Sequence, residues 1–495
     1  MDTSFQLLAP VLLPIVMGLL IGFVPFLRKP VIQRSLLIVT LFVNAALVLA
    51  IAFQGEMRIE LFRLTDRLPI LLRTDELSKL FCILSSVMFI FAGIYCPRYM
   101  FYAGNEGRFY MFYLLVLGVL IGFGFSGNLI TLYLFFEMTT LLSIPLVLHS
   151  MEKEAVAAAF KYLYYSIAGA SLAVIGFFFV FTYGTTIEFT PGGVLDTERL
   201  AGREGQMLVV TLLGIIGFGA KAGMFPLHSW LPVAHPVAPA PASAILSGVI
   251  TKVGIFAIIR FVFHLVGADF IRGTWVQYTW ISLALFTGIM GSIMAFREPA
   301  LKRRLAFSTI SQIGYILFGF AVLTSWGLVG GLLQMVFHSI GKNALFLAAG
   351  VIIMQTHKTQ IADLSGIGKQ MPIAIWCFAL AALSLVGIPP TGGFTGKWFL
   401  ATGSLEAEYI GFLSWFGPAL LLFSALLAAG YLMPVVISGF FPGITKRGHE
   451  IDFLKLKVKP SMLIPILILA AGCVIFGAFP GELIYILERI AAGLL

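Results

Sequence analysis

Six side chains able to hold or pass a proton lie inside long apolar runs of this 495-residue chain. Glu137 sits in TLYLFFEMTTLLSIP, and Lys221 and Lys252 bracket a Pro- and Gly-dense segment. His338 and Lys342 share MVFHSIGKNALFLAAG, and Lys397 follows in GGFTGKWFL. A lysine in hydrocarbon costs about 2.5–3.5 kcal/mol on insertion scales, so a buried one is a functional candidate by default. His338 and Lys342 are four apart and share one helix face. Burial disfavours the charged form of a lysine, and a nearby carboxylate favours it. A lysine that gains and loses Glu137 as partner can load and release a proton; the expected pair is Glu137 with Lys221. Lys221, Lys252, Lys342 and Lys397, with histidines and water between them, then form a lateral relay. The alternative is a set of ion pairs that fix packing, but one buried acid leaves most of this positive charge uncompensated, and such an excess stabilises nothing.

Other titratable residues carry weaker signals. His228 and His235 flank Trp230-Leu231-Pro232 and read either as relay or pore-lining groups or as hydrogen-bonded structural histidines. Lys161, in AAAFKYLYYSIAGAS, points inward or snorkels to the surface. His149, beside Glu152 and Lys153, reads as an interface residue, and His264, His357 and His449 as loop residues. Lys302-Arg303-Arg304 reads as a topology anchor. The histidines offer no close ligand set for a metal. GFGAKAG lies inside an apolar run without a preceding strand, so it is no phosphate loop.

The elements that position these groups follow from composition. The chain is 59% hydrophobic and 11% charged, with mean hydropathy +1.00. That balance describes an all-α polytopic membrane protein. The net charge of +9 fits Lys and Arg in cytoplasmic loops and gives no reason to invoke nucleic acid. Residues 1–30 read as a retained first helix rather than a cleaved signal. Cys82, Cys96, Cys377 and Cys473 are far apart, without a CxxC, and read as buried structural thiols.

Apolar stretches of about 20 residues number about fourteen. They run 5–27, 33–54, 77–96, 109–126, 128–150, 160–183, 207–230, 240–263, 276–296, 304–323, 328–355, 371–400, 412–439 and 461–480. The longest connections, near 55–76, 184–206 and 440–460, read as loops. Lys and Arg, including the cluster Lys446 to Lys459, favour one set of loops by about two to one, which places both termini outside. On this count Arg58, Arg63, Arg67, Arg73, Arg199, Arg203, Arg260 and Arg272 fall in the opposite loops.

Two spans are interrupted. The seventh breaks at Gly223-Met-Phe-Pro226, after Lys221, and the twelfth at Gly387-Ile-Pro-Pro-Thr-Gly-Gly393, before Lys397. Proline removes a backbone donor and frees carbonyls that lipid cannot satisfy, so each break must face protein or water. Broken helices five spans apart point to an inverted repeat with ion sites near the midplane. The expected organisation is helices 1–3 over 1–108, a first five-helix repeat over 109–263, a second over 276–439, and helix 14 with a tail over 461–495.

FFEMTTLLSIPLVL, GAKAGMFPLHSWLPVAHPVAPAPASAILSGVITKVGIFAIIR, HSIGKNALFLAAG and GIPPTGGFTGKW, in this order, closely resemble one family. It comprises the antiporter-like subunits of respiratory complex I, the large subunits of Mrp-type sodium/proton antiporters and those of membrane-bound energy-converting hydrogenases. The resemblance covers roughly residues 70–440. It implies a fourteen-helix fold with inverted repeats, and proton translocation within a larger membrane assembly. It also implies roles: Glu137 and Lys221 as the coupling pair, Lys252 with His338 and Lys342 as the central relay, Lys397 as the terminal site. HPVAPAPASA is most similar to the hydrogenase and Mrp-type members. Val233 stands where many members carry an acid, and Lys397 where one complex I subunit carries glutamate. The chain ends soon after the fourteenth span, so the long lateral helix of the largest complex I subunit is not expected.

No motif for flavin, quinone, nicotinamide or metal is present, so no cofactor is expected, and electron transfer would belong to partner subunits. The expected function is movement of protons, with sodium as a candidate counter-ion, by a multi-pass subunit of the cell membrane. A free-standing secondary transporter is the alternative that the broken helices alone allow. A scaffold that has lost pumping would have no use for so costly a set of buried charges.

Overall fold

Segments this apolar bury their backbone polar groups inside helices, because hydrocarbon offers no other partner. The computed structural model describes residues 3–442 and 455–495. Its first helices are α1 (Ala9–Phe23), α2 (Pro30–Ala52), α3 (Glu76–Ala103), α4 (Glu106–Gly124), α5 (Leu129–Val147) and α6 (Lys153–Tyr183). Then come α7 (Glu204–Ala222), α8 (Leu231–Val237) and α9 (Ala240–Val266). The second half holds α10 (Trp275–Arg297), α11 (Leu301–Ala321), α12 (Ser325–Thr356), α13 (Pro372–Val386), α14 (Gly392–Glu406) and α15 (Leu413–Phe440). The chain closes with α16 (Pro460–Ala478) and α17 (Gly481–Ala492). Among the described residues, 12 helices are long and apolar enough to cross a membrane. The chain is an all-α, multi-pass membrane protein. Two of the expected spans are not among those helices: α11 opens on Lys302, Arg303 and Arg304, and α13 and α14 are 15 residues each.

Both expected interruptions are present. α7 ends at Gly223 (φ 89°) and α13 at Gly387 (φ 90°), left-handed positions that glycine takes without steric cost. Prolines 226, 389 and 390 follow and keep either helix from resuming at once. The freed carbonyls find donors within the protein. Trp230 Nε1 donates to Ala220 O at 2.9 Å, and Lys397 Nζ reaches Leu385 O and Val386 O.

α9 and α12 form the centre. The apolar window of α9 is 100% buried and that of α12 is 94% buried, and the two pack on each other. α3, α7, α11, α13, α14 and α16 surround them. Polar side chains on these two helices therefore face protein rather than lipid.

Several expectations change. The 55–76 connection is a β-hairpin, β1 (Arg58–Arg63) antiparallel to β2 (Pro69–Arg73). Ile59, Ile70, Leu71 and Leu72 turn inward, and β2 docks on the α4–α5 turn through Arg73 N to Phe125 O and Gly127 N to Leu71 O. The tail after α16 is the helix α17, with Leu487, Ile490 and Ala491 buried. Arg260 and His264 are not loop residues: they are 1% and 4% exposed in the last turns of α9. His357 is exposed where α12 ends. His449 and residues 446–454 of the basic cluster lie outside the described residues.

Candidate functional site

The geometry at Lys252 begins with the backbone. Residues Leu246–Ile250 form a π-helical turn within α9, which leaves the Ser247 carbonyl free of the ordinary α-helical pattern. Lys252 Nζ donates to Ser247 O at 2.7 Å and lies 2.6 Å from His338 Nδ1 on α12. Gly248, inside the same turn, permits this approach; a Cβ there would collide with Asn343 Nδ2. Lys252, His338 and Lys342 are each 0% exposed. Lys342 Nζ, one turn beyond His338, donates to Leu305 O and Ser308 Oγ of α11, both at 2.8 Å. His338 Nε2 is buried without a hydrogen-bond partner. The central cluster is thus a lysine–histidine contact with a second lysine on the same helix face, and among the described residues no carboxylate is bonded to it.

Glu137 and Lys221 are neighbours without being an ion pair. Lys221 Nζ donates to the Phe136 carbonyl and sits 3.7 Å from the centre of the Phe136 ring. Glu137 Oε1, one residue on, is buried with no partner. The expected direct pairing is therefore replaced by a backbone and cation–π contact. Phe136 and Glu137 are adjacent, so their side chains leave α5 about 100° apart, and the Lys221 stem meets the nearer one. Lys397 Nζ donates to Leu385 O at 2.7 Å and to Val386 O at 2.5 Å, at the negative end of α13.

The secondary residues separate. His235 is 0% exposed, neither ring nitrogen has a partner, and it stacks on Phe346 with centroids 4.7 Å apart. His228 stacks on Phe225 at 5.8 Å, and its Nδ1 is unpartnered. Lys161 is half-buried over the Tyr165 ring at 5.8 Å, and Tyr165 OH accepts from Ser229 Oγ at 2.7 Å. His149 is buried, with Nε2 3.0 Å from Gly104 O. Lys302 turns inward rather than anchoring in solvent and donates to Ala238 O at 2.5 Å, closing the end of α8.

Three features escape a reading of single residues. Ser308 is a partner of Lys342. Gln334 and Gln312, both buried, join α12 to α11 with Nε2 to Oε1 at 2.5 Å. Arg260 forms a two-pronged ion pair with Asp75, the N-cap of α3, at 2.6 and 2.8 Å, and touches His264 Nε2 at 3.0 Å. Burial alone would raise the Asp75 carboxyl, but the charge and hydrogen bonds of Arg260 outweigh it and hold the group well below the usual carboxylate range. Only the polarity of Gln312 and Gln334 within apolar runs could have flagged that pair. Among the described residues, no three His, Cys, Asp or Glu side chains come together as a metal site.

Residues 126–429 match the family described as NADH:quinone oxidoreductase/Mrp antiporter, TM. The chain is 33% identical over 391 residues to NADH-quinone oxidoreductase subunit N of Desulforudis audaxviator (strain MP104C), covering 77% of this chain and 76% of that one. It is 29% identical over 422 residues to a Na(+)/H(+) antiporter subunit of Bacillus subtilis (strain 168), covering 84% of each. Its fold matches a chain in the structure of the Mrp complex from Dietzia sp. DQ12-45-1b with TM-score 0.84 and 22% identity, over 100% of this chain and 98% of that one. The match takes in Glu137, Lys221, Lys252, His338, Lys342 and Lys397, and the chain belongs to the NADH:quinone oxidoreductase/Mrp antiporter transmembrane family.

Proposed function

We propose that this chain carries protons along the line Glu137–Lys221–Lys252–His338–Lys342–Lys397, as one membrane subunit of a larger complex I-related or Mrp-type assembly. The observation that carries the reading is the 2.6 Å contact between Lys252 Nζ and His338 Nδ1 in the fully buried centre. Two groups that each accept or donate one proton share a hydrogen bond there, and among the described residues no carboxylate is bonded to lock either in its charged form. Membership in the family and the names of the relatives, a quinone oxidoreductase subunit and an antiporter subunit, support movement of protons across the membrane. Sodium as the exchanged ion has the same support from the antiporter relative.

The fourteen-span reading counts α7–α8 and α13–α14 as one span each and adds α11. The inverted-repeat reading, helices 4–8 against 9–13, is supported by the matching breaks at Gly223 and Gly387. Two contacts support both termini lying on one face, and the bias of Lys and Arg between loops supports that face being the outer one. Gln54 Nε2 donates to Gln6 Oε1 at 3.1 Å, and Arg489 and Leu494 share a cavity wall with Glu56 and Asp75.

The test is proton uptake by membrane vesicles holding the assembled complex. Lys252→Ala is expected to abolish uptake while the subunit remains assembled. Full uptake by that variant would remove the lysine–histidine contact from the mechanism. A chain that transports when reconstituted alone would replace the subunit reading with a free-standing transporter.

A further inference from the structure

Gln334 lies on α12 four residues before His338, on the same helix face, and is 1% exposed. Its Nε2 is committed to Gln312 Oε1 at 2.5 Å, while its own Oε1 is buried without a hydrogen-bond partner. That oxygen points at α14: a Cβ on Gly396 would lie 2.7 Å from it. Gly396 immediately precedes Lys397. The lysine is half-buried and spends its ammonium on Leu385 O and Val386 O, at the end of α13. Gln312 Nε2 approaches the same Leu385 carbonyl at 3.4 Å. On its other side Lys397 borders a largely apolar cavity of about 360 Å³, whose wall includes Tyr315, Gly387, Phe394, Trp398 and Leu422. An unmet carboxamide oxygen in the protein interior is costly, and it calls for a donor that visits.

We propose that Gln334 is the second acceptor for Lys397, whose ammonium moves between the Leu385 and Val386 carbonyls and Gln334 Oε1. A lysine carries its charge on a flexible four-carbon stem, so the head can change partner while its Cα stays in place. In the first position the ammonium faces the cavity. In the second it faces the central cluster, where His338 Nε2 is also buried without a partner. One proton then passes from Lys397 Nζ to His338 Nε2, leaving a neutral amine and an imidazolium, and the reverse step restores both. Gln334 takes no proton. It is a positioning residue that decides when Lys397 belongs to the central cluster and when to the cavity.

This inference rests on the relay reading, and the experiment separates the two. Proton uptake is measured against pH in vesicles holding the assembled complex, for the wild type, Lys397→Ala, Gln334→Leu and Gln334→Glu. Lys397→Ala is expected to stop uptake. Gln334→Leu, which keeps size and loses the acceptor, is expected to lower uptake tenfold or more. Gln334→Glu, which keeps an acceptor and adds a charge, is expected to retain at least a third of wild-type uptake with a displaced pH profile. If Lys397→Ala stops uptake while Gln334→Leu matches the wild type in rate and pH profile, the inference is overturned and the relay stands. If Lys397→Ala leaves uptake intact, the relay reading fails and takes the inference with it. Should Gln334→Leu not assemble, Gln334→Met, unbranched and without the oxygen, is held to the same tenfold criterion.

Discussion

Arg260 grips Asp75 through two hydrogen bonds, at 2.6 and 2.8 Å, and so ties the last turns of α9 to the first turn of α3. The guanidinium is 1% exposed, so removing the carboxylate strands a charge inside the protein. Asp75→Ala is expected to destabilise the subunit by about 3–5 kcal/mol, the range for breaking a buried pair from one side. Thermal unfolding of the solubilised assembly measures it.

The same pair sets an acid limit. The folded Asp75 carboxyl lies below its unfolded value, which for aspartate is near ~3.9. Its contribution to stability is therefore complete above that value and disappears as pH falls toward the folded one. Melting curves of the wild type and Asp75→Asn should run apart at pH 7 and converge as the medium is acidified below about pH 4. Parallel curves across that window would show that the pair carries no such linkage.

Among the described residues, His338 Nδ1 and the Ser247 carbonyl are the two polar contacts of the Lys252 ammonium. In His338→Leu the lysine keeps the Ser247 carbonyl and loses its titratable neighbour at hydrogen-bond distance. Proton uptake should fall by about 10²-fold or more, the scale of a positioned proton-transfer group. His338→Gln, which keeps a hydrogen-bonding group without a titratable one, should assemble and still leave uptake low.

Glu137 bears a carboxylate oxygen without a bonded partner, so Glu137→Gln breaks no hydrogen bond at that atom. Assembly should match the wild type while coupled uptake is lost. An equally active Glu137→Gln variant would exclude Glu137 from the path.

The two break glycines should respond differently to alanine. Each sits at φ near +90°, where a Cβ costs about 1–2 kcal/mol. At Gly223 the new methyl runs into Leu231 Cδ1, which is a packing fault. At Gly387 it meets Lys397 Cδ at 2.9 Å. Gly223→Ala should therefore lower the melting temperature most, and Gly387→Ala should lower proton uptake most.

Much of this was legible from the chain because hydrocarbon makes polar residues conspicuous. Lys221, Lys252, His338, Lys342 and Lys397 stand out against apolar neighbours, and Gly-Pro segments mark the places where such helices can stop. What stayed hidden depends on tertiary neighbours. Glu137 and Lys221 look like an ion pair in sequence, yet the backbone carbonyl of Phe136 takes the ammonium. Arg260 reads as a loop residue because it nears the end of an apolar run; its partner Asp75 lies 185 positions away. Ser308, Gln312 and Gln334 are ordinary residue types whose meaning arises only where α11 and α12 meet. The hairpin at 58–73 was masked by its exposed charges Arg58, Glu60 and Arg63 and by a register irregularity between Glu60 and Phe62, which breaks the alternation that marks a strand.

The wide turn at Leu246–Ile250 also sets the phase of everything after it. Such a turn holds one residue more than its regular counterpart, and each residue advances a helix by about 100°. Were every residue kept and this turn wound at regular α pitch, Arg260 would be carried about 100° round the helix axis, off the carboxylate it holds. The five-residue segment works like the tooth of a key: its surplus residue sets the phase in which Lys252 meets α12 and Arg260 meets α3.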